Sequence, residues 1–159
     1  MFLNKKKIIL VISISSLIFF LILNQVRSQE LRVVDGDTIH LNGEKIRFTG
    51  IDTPELKQTC IKEGVINSCG VTAKEILIEK IADNKVECIS ERKDRYKRTL
   101  AECFVNDESL SGYLVRSGYA FAYRKYSKKF ILDEDYAKDN KIGMWSMQFE
   151  YPWDYRRNN

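Results

Sequence analysis

The sequence is poor in the residues that build metal clusters and histidine-based sites. It has one histidine, His40, in 159 residues, and none of its four cysteines stands in a Cys-x-x-Cys pair. That excludes the common histidine–cysteine zinc clusters, and His40 reads as a structural residue. No internal repeat and no low-complexity linker follows residue 30. Excess charge is missing as well. The formal charge of +4 comes from Lys5, Lys6, Lys7 and Arg27, because residues 1–28 hold no acid. Taking those four from 26 basic residues leaves 22, against 22 acidic ones. A neutral domain does not coat a polyanion by bulk charge. To bind one it needs a local basic patch or a metal ion.

What is present begins with an export signal. Three lysines precede an uncharged, largely apolar run over residues 8–23. The run is long for a signal h-region and short for a spanning helix. Val26 and Ser28 suit positions −3 and −1 of a cleavage site, so cleavage after Ser28 and retention as an anchor both stay open. Either outcome places the rest outside the cytoplasm. We expect residues 1–28 to be a signal peptide or signal anchor, 30–147 one globular domain, and 148–159 an aromatic and basic tail. Cys60, Cys69, Cys88 and Cys103 fit an oxidising compartment and read as two local disulfides, Cys60–Cys69 and Cys88–Cys103. The alternative is four buried thiols.

The order of elements points to an α+β domain. Residues 31–41 are β-rich, Asn42-Gly43 is a strong hairpin signal, and 44–52 make the return strand, ended by Thr53-Pro54. Residues 56–68 read as a polar loop. Ala73, Leu77 and Ile81 give residues 70–82 a helical stripe. Residues 86–91 and 99–105 form a second hairpin; opposing Cys88 and Cys103 puts its turn at Arg95-Tyr96. A short helix over 109–117, a short strand over 119–123 and a helix over 131–141 complete the domain.

Three short polar segments carry the chemistry. Asp35-Gly36-Asp37-Thr38 precedes one arm of the first hairpin, and Asp52-Thr53-Pro54-Glu55 follows the other. Folding the hairpin brings Asp37 and Asp52 to the same end, and two carboxylates with a carbonyl or hydroxyl oxygen suit a hard cation such as Ca²⁺. Arg47 lies five residues before Asp52. That odd spacing puts the two on opposite faces of an ideal strand, so their convergence requires a bulge or bend, for which Gly50 is the natural place. The third segment is Asp94-Arg95-Tyr96-Lys97-Arg98, at the tip of the second hairpin. A further run, Tyr123-Arg124-Lys125-Tyr126-Ser127-Lys128-Lys129, interleaves aromatic and basic residues; it is equally a solvated loop or a single-strand binding surface. The tail 153–157 reads as packing with a basic end.

In this order and spacing the three segments resemble the signature of the staphylococcal nuclease family, together with Gly118-Tyr119-Ala120 and Gly143-Met144-Trp145. The resemblance implies a five-stranded antiparallel OB-fold barrel with three helices. It implies Ca²⁺-dependent hydrolysis of DNA and RNA phosphodiester bonds with little sequence specificity, leaving 3′-phosphates. On it, Asp37, Asp52 and the Thr53 carbonyl are the Ca²⁺ ligands. Arg47 and Arg98 hold the phosphate, and Glu55 orients or deprotonates the attacking water. Tyr96 and Tyr123 flank the nucleotide. We expect a monomer that meets a membrane only through an uncut N-terminal segment. The alternative is a catalytically inactive OB-fold that binds nucleic acid or protein at the cell envelope. Two departures stand out: Lys97 replaces the glycine usual before the second arginine, and the loop 56–68 is remodelled around its cysteines.

Overall fold

A computed structural model describes residues 29–159, and the expected export segment lies outside them. Among the described residues no helix is long and apolar enough to cross a membrane. Five strands form a continuous path: β1 (Leu31–Val33), β2 (Thr38–Leu41), β3 (Glu44–Phe48), β8 (Thr99–Val105) and β7 (Glu87–Lys93). Asn42 and Gly43, both at positive φ, turn β2 into β3, as an Asn-Gly hairpin requires. Strand β8 alternates buried and half-buried residues, whereas β7 is charged and exposed, as suits an outer strand. The short β9 (Glu108–Ser109) pairs with β8.

Helix α1 (Cys69–Ile81) buries Cys69, Ala73, Leu77 and Ile81, one stripe at spacing four. Helices α2 (Leu110–Arg116) and α3 (Ile131–Asp139) follow. Ser109 caps α2 by accepting from Gly112 N. Between these two helices the strand β10 (Phe121–Ala122) pairs antiparallel with β4 (Ile51–Asp52), setting Phe121 opposite Asp52. This is an α+β, OB-like domain of the expected class.

It differs from expectation in three places. The sheet is not wholly antiparallel, because β3 and β8 run parallel; the long excursion through α1 and β7 returns the chain in that direction. Residues 56–68 are not merely a loop. They hold a second small hairpin, β5 (Cys60–Lys62) and β6 (Val65–Asn67), turned by Glu63 and Gly64 at positive φ. Among the described residues the α-helices number four, since the tail closes in α4 (Pro152–Asn158), started by proline in its first turn.

Two apolar clusters result. The larger is mainly aliphatic and is built from Ile39, Ile46, Phe48, Leu77, Leu110, Leu114 and their neighbours. The smaller is centred on Phe121 and Met144, with Trp145, Phe149, Tyr151 and Trp153 packed on it. All four cysteines are paired. Cys60–Cys69 joins β5 to the start of α1, and Cys88–Cys103 bridges directly opposed residues of β7 and β8.

Candidate active site

Hydrogen bonding in the strands places the acids. Phe48 N donates to the Asp37 carbonyl at 2.8 Å, fastening the Asp-Gly-Asp loop to the end of β3. Thr38 pairs with Arg47 across the hairpin. Asp52 is held in β4 opposite Phe121. Between Arg47 and Asp52 the chain bends at Gly50, whose φ of +75° favours glycine. This bend turns two residues of odd spacing toward one another. Gly70 is required for close approach instead, since a Cβ there would lie 1.8 Å from the Glu55 carbonyl oxygen. Only glycine lets the start of α1 lie that close behind the Glu55 segment.

The result is a buried acidic centre. Asp37 and Asp52 are 1% and 0% exposed. Arg47 binds both, reaching Asp37 Oδ1 with Nη1 and Asp52 Oδ1 with Nη2, the latter at 2.9 Å. Asp37 Oδ2 accepts from Thr53 N at 3.1 Å and Thr53 Oγ1 at 2.9 Å. Burial works against the Arg47 charge, but Asp37, Asp52 and Asp35 outweigh it and hold its pKa above the ordinary value. Burial raises the Asp52 pKa, with Asp37 adding to the rise and Arg156 and Arg47 opposing it. Partial burial, with the Asp37 charge adding to it, pushes half-buried Asp35 up to about 6.

Around this centre lies a cleft of about 940 Å³ lined by Asp35, Arg47, Glu55, Tyr96, Arg98, Tyr123 and Arg156. Arg98 and Tyr96 come from the tip of the second hairpin. Asp94 organises that tip: its Oδ1 accepts from the Tyr96 and Arg98 backbones, and its Oδ2 from the Arg98 guanidinium at 2.7 Å. Lys97 adopts φ +63°, the left-handed conformation that a glycine would take at less cost. The turn is therefore kept despite the substitution. The Arg98 guanidinium lies 5.4 Å from the Tyr96 ring. Tyr123 is stacked on Trp153 at 5.8 Å, and its backbone N–H donates to the Gly50 carbonyl.

The structure thus puts Asp37, Arg47, Asp52 and Thr53 in direct contact. It puts Glu55, Tyr96, Arg98 and Tyr123 on the walls of the same cleft. Arg98 faces that space while paired with Asp94.

One residue of the centre is not legible in the sequence. Arg156, from α4, donates to Asp52 Oδ1 at 3.1 Å and Oδ2 at 2.6 Å, and to Glu55 Oε1 at 2.8 Å. Burial opposes its charge, yet the bonds to Asp52 and Glu55 raise its pKa. Proline at the helix start, Asp154 in the first turn and arginines in the last are legible helix signals. Nothing in seven residues of tail reveals a contact with an acid 104 positions earlier.

The donor set fits a hard cation. The carboxylates are desolvated, the Thr53 carbonyl belongs to the same segment, and no thiol or imidazole takes part. His40 is instead on β2, 3.3 Å from Arg32. Among the described residues no three Asp, Glu, His or Cys side chains converge as a complete cage. A cation here would draw its remaining ligands from water and substrate.

Comparison with known proteins gives a consistent picture. The staphylococcal nuclease homologue family matches residues 45–147. Endonuclease YncB of Bacillus subtilis (strain 168) is 34% identical over 132 residues, covering 72% of this chain and 59% of that protein. Succinoglycan biosynthesis protein ExoI of Rhizobium meliloti (strain 1021) is 32% identical over 123 residues, covering 75% and 64%. An uncharacterized endonuclease of Haemophilus influenzae is 28% identical over 123 residues, covering 73% and 64%. The chain therefore spans less than two thirds of the length of each of these three relatives.

Proposed function

The chain belongs to the staphylococcal nuclease family, and on that premise we propose that it is a Ca²⁺-dependent endonuclease. It hydrolyses DNA and RNA phosphodiester bonds with little sequence specificity and leaves 3′-phosphates. The observation that carries this reading is the joint contact of Arg47 with Asp37 and Asp52, where Arg47 also lines a cleft shared with Glu55 and Arg98. The presence of both arginines and all three acids disfavours an inactive binding module.

The chemistry follows from charge. A phosphodiester repels anionic nucleophiles, so catalysis must neutralise it and favour a transition state of higher negative charge. Ca²⁺ held by Asp37, Asp52 and the Thr53 carbonyl would supply Lewis-acid polarisation of a phosphoryl oxygen. Arg47 and Arg98 offer planar forks that bind phosphate oxygens in pairs. Arg47 is preorganised by the two buried carboxylates, and Arg98 by Asp94. Glu55 is half-exposed at the cleft edge, where it orients or deprotonates the attacking water. Tyr96 and Tyr123 flank the nucleotide. Export through residues 1–28, as a cleaved signal or an anchor, belongs to the same proposal, and the two disulfides support it.

The test is cleavage of plasmid DNA and of RNA by the purified chain, in Ca²⁺ and in EGTA. Cleavage in Ca²⁺ leaving 3′-phosphates that a 3′-phosphatase converts to 3′-hydroxyls is expected, and chelator should abolish it. Cleavage that persists in EGTA would refute the calcium role. No cleavage under either condition would favour the binding module.

A further inference from the structure

Arg156 lies beyond the family match, which ends at residue 147, yet its guanidinium is at the centre of the acid cluster. It engages both oxygens of fully buried Asp52 at 3.1 and 2.6 Å and one oxygen of Glu55 at 2.8 Å. With Arg47 on Asp52 Oδ1 and Thr53 on Asp37 Oδ2, every oxygen of Asp37 and Asp52 already accepts a hydrogen bond. A calcium ion needs carboxylate oxygens at about 2.3–2.6 Å. A guanidinium spanning both Asp52 oxygens blocks that edge sterically and neutralises part of the charge that attracts the ion. Four carboxylates (Asp35, Asp37, Asp52 and Glu55) meet two guanidiniums here, which leaves two negative charges when all are ionised.

The tail is built to keep Arg156 there. Helix α4 has only seven residues, but the segment leading into it is locked by rings. Tyr151 stacks on Trp153 at 4.6 Å, Trp153 on Tyr123 at 5.8 Å, and Tyr151 meets Phe121 edge-on at 5.1 Å. Gln58, wholly buried, accepts from Glu55 N through its side-chain oxygen and donates to the Glu150 carbonyl at 2.6 Å. The acid segment and the tail are thereby tied on two sides. At 39% side-chain exposure, however, Arg156 can still swing out toward solvent without unpacking those rings.

We propose that Arg156 is a tethered counter-cation of this site. It holds the Asp52 and Glu55 carboxylates in register until a divalent cation displaces it, and so sets the concentration at which that cation binds. The inference rests on the proposed cation role of Asp52. Arg156 is a positioning residue: it acts through two carboxylates rather than on the substrate.

The test is calorimetric titration of the full chain with CaCl₂ alone, no nucleic acid present. Arg156→Gln should tighten the Ca²⁺ Kd about ten- to a hundredfold, the range set by losing competing charge-assisted hydrogen bonds. Arg157→Gln, an exposed residue whose partner is Asp154 on the same helix, should leave it unchanged. Arg156→Lys keeps the charge without the fork, and its Kd should fall between the other two. Should the glutamine variant not fold by circular dichroism, the lysine variant carries the test alone, with about threefold tightening expected. An unchanged or weaker Kd in the Arg156 variants overturns the inference and leaves the calcium role standing. Absence of Ca²⁺ binding in the wild type and every variant overturns both.

Discussion

The aliphatic sheet region and the aromatic tail region are held together by different means, and they supply different parts of the site. The sheet region positions Asp37, Arg47 and Arg98 through strand pairing and turn geometry, over a core of Ile, Leu and Val. The tail region has little regular structure. It positions Arg156 by packing rings around Phe121, which touches Trp145, Phe149, Tyr151 and Trp153 at centroid distances of 5.1–6.1 Å. The two regions meet where Phe121 pairs with Asp52. A backbone ladder fixes a residue by its neighbours on the strand. A ring cluster fixes it by shape alone, and sequence shows shape poorly.

The largest expected effect falls on that junction. Phe121→Ala should cost about 3–5 kcal/mol in chemical denaturation, the usual range for a fully buried phenylalanine. A loss below about 1 kcal/mol would mean that the tail is only laid against the sheet region. Arg98→Lys tests the opposite side. Arg98 is fixed by its own hairpin and touches no tail residue among its hydrogen bonds. Its replacement should leave the denaturation midpoint near wild type while turnover falls about 10²–10³-fold. Full turnover in that variant would remove the bidentate fork from the mechanism.

Smaller effects probe the sheet region's own strain. Asp35 has a folded-state pKa of about 6, above its unfolded value. The folded protein therefore binds this proton more tightly, and the stability so gained is lost as pH rises from about 4 through about 6. Asp35→Asn should be more stable than wild type above pH 6, by about 1 kcal/mol after allowance for solvent screening. The two should converge below about pH 4. A gap that widens on acidification would reverse the assignment. Last, Lys97→Gly should raise stability by up to about 1 kcal/mol, because it removes a side chain from a left-handed backbone. A loss of stability would show that the Lys97 side chain compensates for its own conformation.

Sequence makes one region legible and hides the other for the same physical reason. Asn42-Gly43, the Gly50 bend and the 69–81 stripe each act within a few residues, so local pattern predicts them. From the first two follows the convergence of Asp37, Arg47 and Asp52, while the pairing of Cys88 with Cys103 follows from the second hairpin. The β5–β6 hairpin is equally local, since Glu63-Gly64 separates two short β-branched segments, but its charged tip masks it as a loop. The parallel β3–β8 pair depends on where a long excursion returns. The Arg156 contact depends on four aromatic residues folding over Phe121, and no spacing in the tail encodes that.

Gln58 gives the boundary of the molecule a physical meaning. Its amide spans from the Glu55 backbone to the carbonyl of Glu150, with none of the side chain reaching solvent. A chain ended at residue 147, where the family match stops, would take the Glu150 carbonyl from that amide. The packed structure therefore runs past the C-terminal edge of the stretch by which kinship is recognised. Ending this protein at that C-terminal edge would loosen the Glu55 segment while leaving Arg47, Glu55 and Arg98 in the chain.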